Sequence, residues 1–322
     1  MTDKTILLTG GTGSFGKKFT EIVLEKYDPE KLIIFSRDEL KQHEMKNLFN
    51  NDSRLRFFVG DIRDKERLYR AMDGVDIVVH AAALKRVPSC EYNPFEAVKT
   101  NILGAQNIIN VGIDCEVEKL IALSTDKAVN PVNLYGATKM CMERLFVAGN
   151  SYTGWHETRL ACVRYGNVIG SRGSVIPLFK KQAKKEKLTI TDERMTRFWI
   201  TLEQGVELVL QGLETMHGGE VFIPKIPSMK IMDLAKAMAP KAEIETIGIR
   251  PGEKIHECLI TEDEARHTKE FKDFFIIEPE HPWWDYTLWK EGKELPDGFR
   301  YTSNNNDDWL SIEDLNNLIK DL

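Results

Sequence analysis

Short runs of apolar residues alternate with longer amphipathic stretches through the first half of the chain. Thr5–Leu8 is an apolar run that ends in glycines. Phe15, Phe19, Ile22 and Val23 then recur at helical spacing, which predicts a helix over Phe15–Glu25. The same alternation predicts strands at Leu32–Phe35, Leu55–Val59, Val75–His80, Leu120–Leu123 and Thr158–Tyr165. It predicts helices at Asp38–Phe49, Lys65–Met72, Phe95–Val111 and Leu134–Ala148. Uniformly apolar strands joined by helical crossovers are buried on both faces and run parallel. The expected fold is therefore α/β, a Rossmann doubly wound parallel sheet.

After about Asn167 the alternation loosens. Helices are expected at Val175–Lys185, Leu202–Leu213 and Ile231–Ala239, and strands at Leu188–Ile190 and Glu220–Ile223. This reads as a smaller C-terminal α/β lobe. The expected division is a cofactor domain over 1–166 and a mainly substrate-binding lobe over 167–322, with some segments returning to the sheet.

Composition narrows the class. A chain of 322 residues allows about two domains. An apolar content of 42% with 29% charged residues excludes a disordered, collagenous or coiled-coil chain. The net charge of −6 offers no general attraction for nucleic acid or an anionic membrane. The longest apolar stretch, Val75–Leu84, contains Asp76 and His80 and falls well short of the roughly 18 residues of a membrane helix. The first residues run straight into a strand, so no signal peptide is expected. Cys90, Cys115, Cys141, Cys162 and Cys258 show no C-x-x-C pair and read as thiols in a reducing cytoplasm. No histidine pair has ligand spacing, and no metal site is expected.

The first turn carries the first chemistry. Gly10-Gly11-Thr12-Gly13-Ser14-Phe15-Gly16 has the spacing G-x-x-G-x-x-G between a strand and a helix. Glycines there let the backbone approach a pyrophosphate, whose charge then sits on the helix N-terminus. The second strand ends in Ser36-Arg37-Asp38, with Lys41 one turn on. A hydroxyl and a guanidinium suit the 2′-phosphate of NADP, whereas Asp38 would suit NAD. Asp61, followed by Ile62, offers a carboxylate to an adenine. Ala81, Ala82 and Ala83 clear side-chain bulk beside the cofactor crevice.

A Tyr-x-x-x-Lys spacing sets a phenol and an ammonium on one helix face, where the cation helps the phenol act as a base. Three copies occur, at Tyr27/Lys31, Tyr135/Lys139 and Tyr286/Lys290. Only Tyr135/Lys139 follows a sheet strand at its ligand-binding end, and that strand runs into Ser124-Thr125-Asp126-Lys127.

The glycine turn, the strand-end Ser-Thr, Asn101 in Thr-Asn-Ile-x-Gly and the Tyr-Gly-Ala-Thr-Lys block together resemble the extended short-chain dehydrogenase/reductase family. Ser-Thr-Asp-Lys-Ala, Phe-Ser-Arg-Asp-Glu-Leu-Lys-Gln (35–42), Ala-Ala-Ala-Leu-Lys (81–85), Arg-Tyr-Gly-Asn-Val (164–168), Gly-Ser-Arg-Gly-Ser-Val-Ile-Pro (170–177) and Met-Thr-Arg-Phe-Trp (195–199) look like the inverting UDP-N-acetylglucosamine 4,6-dehydratases, which include the first enzyme of pseudaminic acid synthesis.

The resemblance implies a lyase that oxidises C4, eliminates water across C5 and C6, and returns the hydride to C6, with NADP regenerated each turnover. It implies Tyr135 as the base at the C4 hydroxyl, Lys139 on the nicotinamide ribose and Thr125 on the C4 oxygen. Lys127 would be the base at C5 and Asp126 the acid at O6, although the residues themselves leave open which is acid and which is base. These roles ask for a neutral lysine and a protonated aspartate. For the UDP-sugar the resemblance implies Lys85, Asn167, Ser174, Val175, Arg197, Arg250 and Glu253. It also implies a cytoplasmic homo-oligomer, a dimer or larger up to a hexamer. A 4-epimerase would use Thr125 and Tyr135 but leave Asp126-Lys127 without work. A non-catalytic NADP sensor would have no need of the Tyr/Lys pair.

Overall fold

The structure is a computed structural model and describes residues 1–170 and 175–320. The chain begins β1 (Thr5–Thr9), α1 (Ser14–Lys26), β2 (Lys31–Ser36), α2 (Glu39–Leu48), β3 (Leu55–Val59), α3 (Lys65–Met72) and β4 (Ile77–His80). Two short helices follow, α4 (Val87–Tyr92) and α5 (Pro94–Val98), then a π-helical turn over Lys99–Leu103 and α6 (Gly104–Asp114). Next come β5 (Lys119–Thr125), a single 3₁₀ turn at Asp126–Ala128, α7 (Leu134–Gly149), β6 (Arg159–Tyr165) and β7 (Asn167–Val168). The second half contains α8 (Val175–Ala183), β8 (Lys187–Ile190), β9 (Thr196–Ile200), α9 (Leu202–Thr215), β10 (Val221–Pro224), β11 (Ser228–Lys230), α10 (Ile231–Met238) and β12 (Glu243–Thr246). It closes with β13 (Cys258–Ile260), α11 (Glu262–Ala265), β14 (Thr268–Glu270), β15 (Phe274–Ile277), β16 (Lys293–Glu294), β17 (Tyr301–Thr302) and α12 (Ile312–Lys320).

The ten-stranded main sheet has the order β16-β14-β15-β10-β6-β5-β4-β1-β2-β3. From β3 to β10 every pairing is parallel, and β15 joins antiparallel to β10. The doubly wound expectation therefore holds, and its reason is visible. Ile6, Leu7, Leu8, Val78, Val79, Leu120 and Ile121 are all fully buried, as strands covered on both faces must be.

Two apolar clusters organise the molecule. The larger spans residues as distant as Ile6 and Tyr301, because α9, β10 and β15 pack with the main sheet. The smaller holds Ile169, Ile176, Phe179, Leu188, Trp199, Leu234 and Leu315. The helix expected over Phe95–Val111 is broken by the π-helical turn. There Asn101 is fully buried and its amide clamps Leu84, accepting from the Leu84 N–H at 2.8 Å and donating to the Leu84 carbonyl at 2.8 Å. It also donates to Thr138 on α7 at 2.9 Å. That three-way clamp fixes the chain after β4 against the helix that carries Tyr135.

Candidate active site

The carboxyl ends of β1 to β6 open into one cleft of about 1160 Å³ between the two clusters. Its volume exceeds the usual range for a single small ligand, roughly 300–1,000 Å³, and accommodates two ligands end to end.

At the β1 end, Gly10 has φ +67° and a Cβ there would sit 2.9 Å from the Ala82 backbone. Its N–H donates to the Phe35 carbonyl at 2.9 Å. A Cβ on Gly16 would sit 2.1 Å from the Gly11 carbonyl oxygen, so α1 packs against the turn only as glycine. Thr12, Gly13, Ser14 and Phe15 line the cleft, as do Ala81, Ala82 and Ala83 across from them. Fully buried Thr9 accepts from the Ala81 and Ala82 N–H groups, each at 3.2 Å. This bare, N–H-rich cradle at a helix N-terminus fits a dinucleotide pyrophosphate.

Ser36, Arg37 and Lys41 also line the cleft, whereas Asp38 does not. The Asp38 carboxylate caps α2, accepting from the Lys41 N–H at 3.0 Å, and pairs with the Lys41 ammonium. It is thereby turned to local structure. Exposed Arg37 lies 3.9 Å from Asp61. Asp61 is itself bound by Arg63, at 3.0 and 2.7 Å through the guanidinium. Ile62 lies buried under the same wall, against Gly104.

The chemistry-bearing turn follows β5. Gly136 is the packing reason for its geometry: a Cβ there would lie 2.1 Å from the Lys127 carbonyl oxygen, so only glycine lets α7 press onto the 3₁₀ turn. Asn133 caps α7 through the Gly136 N–H at 2.8 Å and donates to the Gly252 carbonyl at 2.8 Å. That second bond ties the Arg250–Glu253 turn to the start of the tyrosine helix. Asp126 is fully buried. It accepts on Oδ1 from Thr125 at 2.9 Å and from the Lys127 ammonium at 3.0 Å, while Oδ2 has no partner. Lys127 also donates to Asn167 at 3.1 Å and lies 3.5 Å from Glu257.

Burial raises the Asp126 carboxyl above its ordinary value, with the Lys127 charge opposing and the Glu257 charge assisting. That direction agrees with the expected acid. Lys127 goes the other way from the neutral amine expected. Burial alone would lower it, but the charges of Asp126 and Glu257 outweigh burial and raise it. Tyr135 is pushed up to about 12, chiefly by burial, and the cation drawing it back down is Lys127. Lys139 is buried on the same helix, brought down to about 8 by burial, and contacts Met142 Sδ at 2.9 Å. The expected aid from Lys139 to the phenol is thus supplied by the neighbouring lysine in this state.

On the substrate side, Lys85, Asn167, Val175, Arg197, Arg250 and Glu253 line the same cleft as Lys127 and Tyr135. Ser174 lies outside the described residues. Arg197 is less free than its sequence suggests. It donates to the carbonyls of Thr196, Ile255 and Lys254 at 2.7, 2.9 and 2.9 Å, so it braces the 250s turn from inside. Arg250 is exposed, and its closest acidic group is Glu253 at 3.9 Å. The lysines 180, 181, 184, 185 and 187 are all exposed, but only Lys180 and Lys181 lie on α8; Lys184 and Lys185 follow its end and Lys187 begins β8, so the helix expected to Lys185 stops two residues early.

Sequence reasoning missed Glu257. It is 3% exposed, lying 3.5 Å from Lys127, 3.8 Å from Arg197 and 3.7 Å from Lys254. The available signal was a carboxylate set directly before the apolar run Cys258-Leu259-Ile260. Tyr165, whose phenol burial raises and which faces Tyr135, was likewise passed over.

The model of the family described as polysaccharide biosynthesis protein matches residues 6–279. A Campylobacter jejuni protein named UDP-N-acetylglucosamine 4,6-dehydratase (inverting) is 56% identical, over 98% of this chain and 97% of its own. A Rickettsia conorii protein named UDP-glucose 4-epimerase is 46% identical, over 85% of this chain and 83% of its own. Among solved structures, Pen from Bacillus thuringiensis superposes with a TM-score of 0.91 at 41% identity, covering 100% of this chain and 99% of that one.

Proposed function

The chain belongs to the polysaccharide biosynthesis protein family, and from that premise we propose that it is a UDP-N-acetylglucosamine 4,6-dehydratase that inverts C5. The observation that carries the reading is the Asp126–Lys127 pair. The Lys127 amine lines the cleft with Thr125 and Tyr135, and the fully buried Asp126 carboxyl lies 3.0 Å from that amine with one oxygen unpartnered. A carboxyl acid and an amine base side by side are what elimination of water from a carbonyl-activated sugar requires.

A nicotinamide dinucleotide, when bound, supplies reversible hydride acceptance at the sugar. The protein does the proton work. Tyr135 takes the proton of the C4 hydroxyl, and Thr125 holds the C4 oxygen. Lys127 takes the C5 proton, which the new ketone has made acidic. Asp126 gives its proton to the departing C6 hydroxyl, and as C6 regains hydride a solvent proton adds to C5 from the opposite face; Lys127 then passes the proton it took to Asp126 across their 3.0 Å bond, and Tyr135 returns its proton to solvent. Thr12 to Gly16 cradle the pyrophosphate. Lys139 would hold the nicotinamide ribose. Arg37 and Ser36 favour NADP, since Asp38 is spent on capping α2. Lys85, Asn167, Ser174, Val175, Arg250 and Glu253 are assigned to the UDP-sugar, with Arg197 holding their turn in place. Among the described residues no helix is long and apolar enough to cross a membrane, which agrees with a cytoplasmic enzyme. Exposed Tyr92 and Phe95 on consecutive helices support a homo-oligomer. The presence of Tyr135 supports the pseudaminic acid type.

The test is incubation with UDP-N-acetylglucosamine in D₂O without added reductant. A product lighter by one water, carrying deuterium at C5, is expected. An unchanged substrate mass overturns the reading, and epimerisation at C4 alone would replace it with the epimerase.

A further inference from the structure

The catalytic pair has a third member that the expected chemistry does not call for. Glu257 sits at the foot of β13, buried, with Oε2 bonded to nothing. Its main chain is locked in place: Ser303 Oγ accepts from its N–H at 2.9 Å, and its carbonyl accepts from the Ser303 N–H at 2.8 Å. Its carboxylate faces Lys127 from the 3₁₀ turn, Arg197 from β9 and Lys254 from its own segment. Lys127 in turn faces Asp126 and Glu257, with Arg197 and Lys85 adding positive charge nearby. Behind this group a second cavity of about 220 Å³ is lined by Lys127, Arg197, Glu253, Lys254 and Glu257. Lys127 and Arg197 line both cavities and so stand between the substrate cleft and the Glu257 side.

A single ammonium with a single buried carboxylate makes an ion pair, and the acid proton is then lost to the pair. A second carboxylate changes the count. We propose that Glu257 is a positioning residue: its carboxylate, 3.5 Å from Lys127, favours the proton on Asp126 until it is delivered to O6 and is the counter-ion of the ammonium that Lys127 becomes on taking the C5 proton. Glu257 does not line the substrate cleft and acts through its two neighbours. The inference rests on the dehydratase reading above.

The experiment is Glu257→Gln on the full chain, after the wild type has been shown to release water and take up deuterium at C5. With the charge gone, both groups lose a neighbouring negative charge, so Asp126 ionises and Lys127 yields its proton at lower pH. Both limbs of the kcat/KM pH profile should move to lower pH, by about one unit or more. Water release should fall at least about tenfold, while deuterium exchange at C5 into recovered substrate rises relative to water release. A merely structural residue would lower both together and leave the profile where it was. Glu257→Asp keeps the charge and should keep the wild-type profile at a reduced rate. A Gln variant whose profile does not move, or an Asp variant that shifts as Gln does, overturns the proposal even when the wild type is a dehydratase. No water release by the wild type instead overturns the reading beneath it.

Discussion

Two buried clusters of this molecule share a composition and differ in how they are satisfied. In the first, Arg164 donates to Glu143 at 3.0 and 2.7 Å, to Glu264 at 2.8 Å and to the Leu259 carbonyl at 2.8 Å. Glu264 receives further bonds from the N–H and hydroxyl of Thr261. None of these side-chain atoms is left without a partner. In the second, Lys127 stands among Asp126, Glu257 and Asn167, and each carboxylate leaves one oxygen unpaired. Buried polar groups are normally hydrogen-bonded, and an unpaired one is costly. The complete cluster therefore serves the fold, joining β6, α7 and α11. The incomplete one keeps bonding capacity in reserve, and its Lys127 and Asn167 line the cleft.

The sharpest way to break this contrast is to remove the two cations in turn. Lys127→Met should reduce turnover by roughly 10²–10⁴-fold, the usual worth of a positioned acid–base group, with the urea midpoint close to wild type. Arg164→Met should do the reverse. It strands the Glu143 carboxylate and should cost about 3–5 kcal/mol of unfolding free energy, read by urea titration, while leaving the pH profile of any folded enzyme in place. If Arg164→Met moved the pH profile and Lys127→Met only destabilised, the two assignments would be exchanged.

A smaller effect comes from Lys139. Burial brings it from the ordinary 10.5 to about 8 in the folded protein. Between those values the unfolded chain binds a proton that the folded chain does not. Stability of the cofactor-free protein should therefore rise as pH climbs from about 8 towards 10.5. Lys139→Met should flatten that rise, which urea unfolding across the range will measure. The smallest effect is at the cofactor end. Arg37→Ala should weaken NADP binding by about 1–3 kcal/mol, as loss of a charged hydrogen bond does, and leave NAD binding nearly unchanged. Fluorescence titration with both dinucleotides checks it, and equal losses for the two would remove Arg37 from 2′-phosphate recognition.

Much of the cofactor half was legible in the residues because its signals are local. Period, glycine spacing and strand-end chemistry occur within a few residues of one another, and β1 to β6 form close to where the apolar runs lie. The reading expected some second-half segments to return to the sheet but named no partners for them. The pairing of β10 with β6, and of β15 with β10, draws residues from beyond 220 into the cofactor sheet. The strands β9 and β13 were not anticipated, since each takes its partner from elsewhere in the chain and, for β13, is only three residues long. Asp38 showed the opposite difficulty. Its identity was plain, but only its bonds to Lys41 reveal that it is committed to a helix cap.

The sequence by itself determined the parallel sheet, the glycine cradle and the presence of Thr125, Asp126, Lys127, Tyr135 and Lys139 around one strand end. Periodicity and spacing are short-range properties that one chain segment expresses alone. Tertiary structure decided the protonation of that group. Burial alone would lower the Lys127 amine; Asp126, next to it in the chain, and Glu257, 130 positions away but folded to within 3.5 Å, together raise it. Charge interactions grow as the surrounding dielectric falls, so the proton inventory of a buried site belongs to whichever groups the fold assembles there.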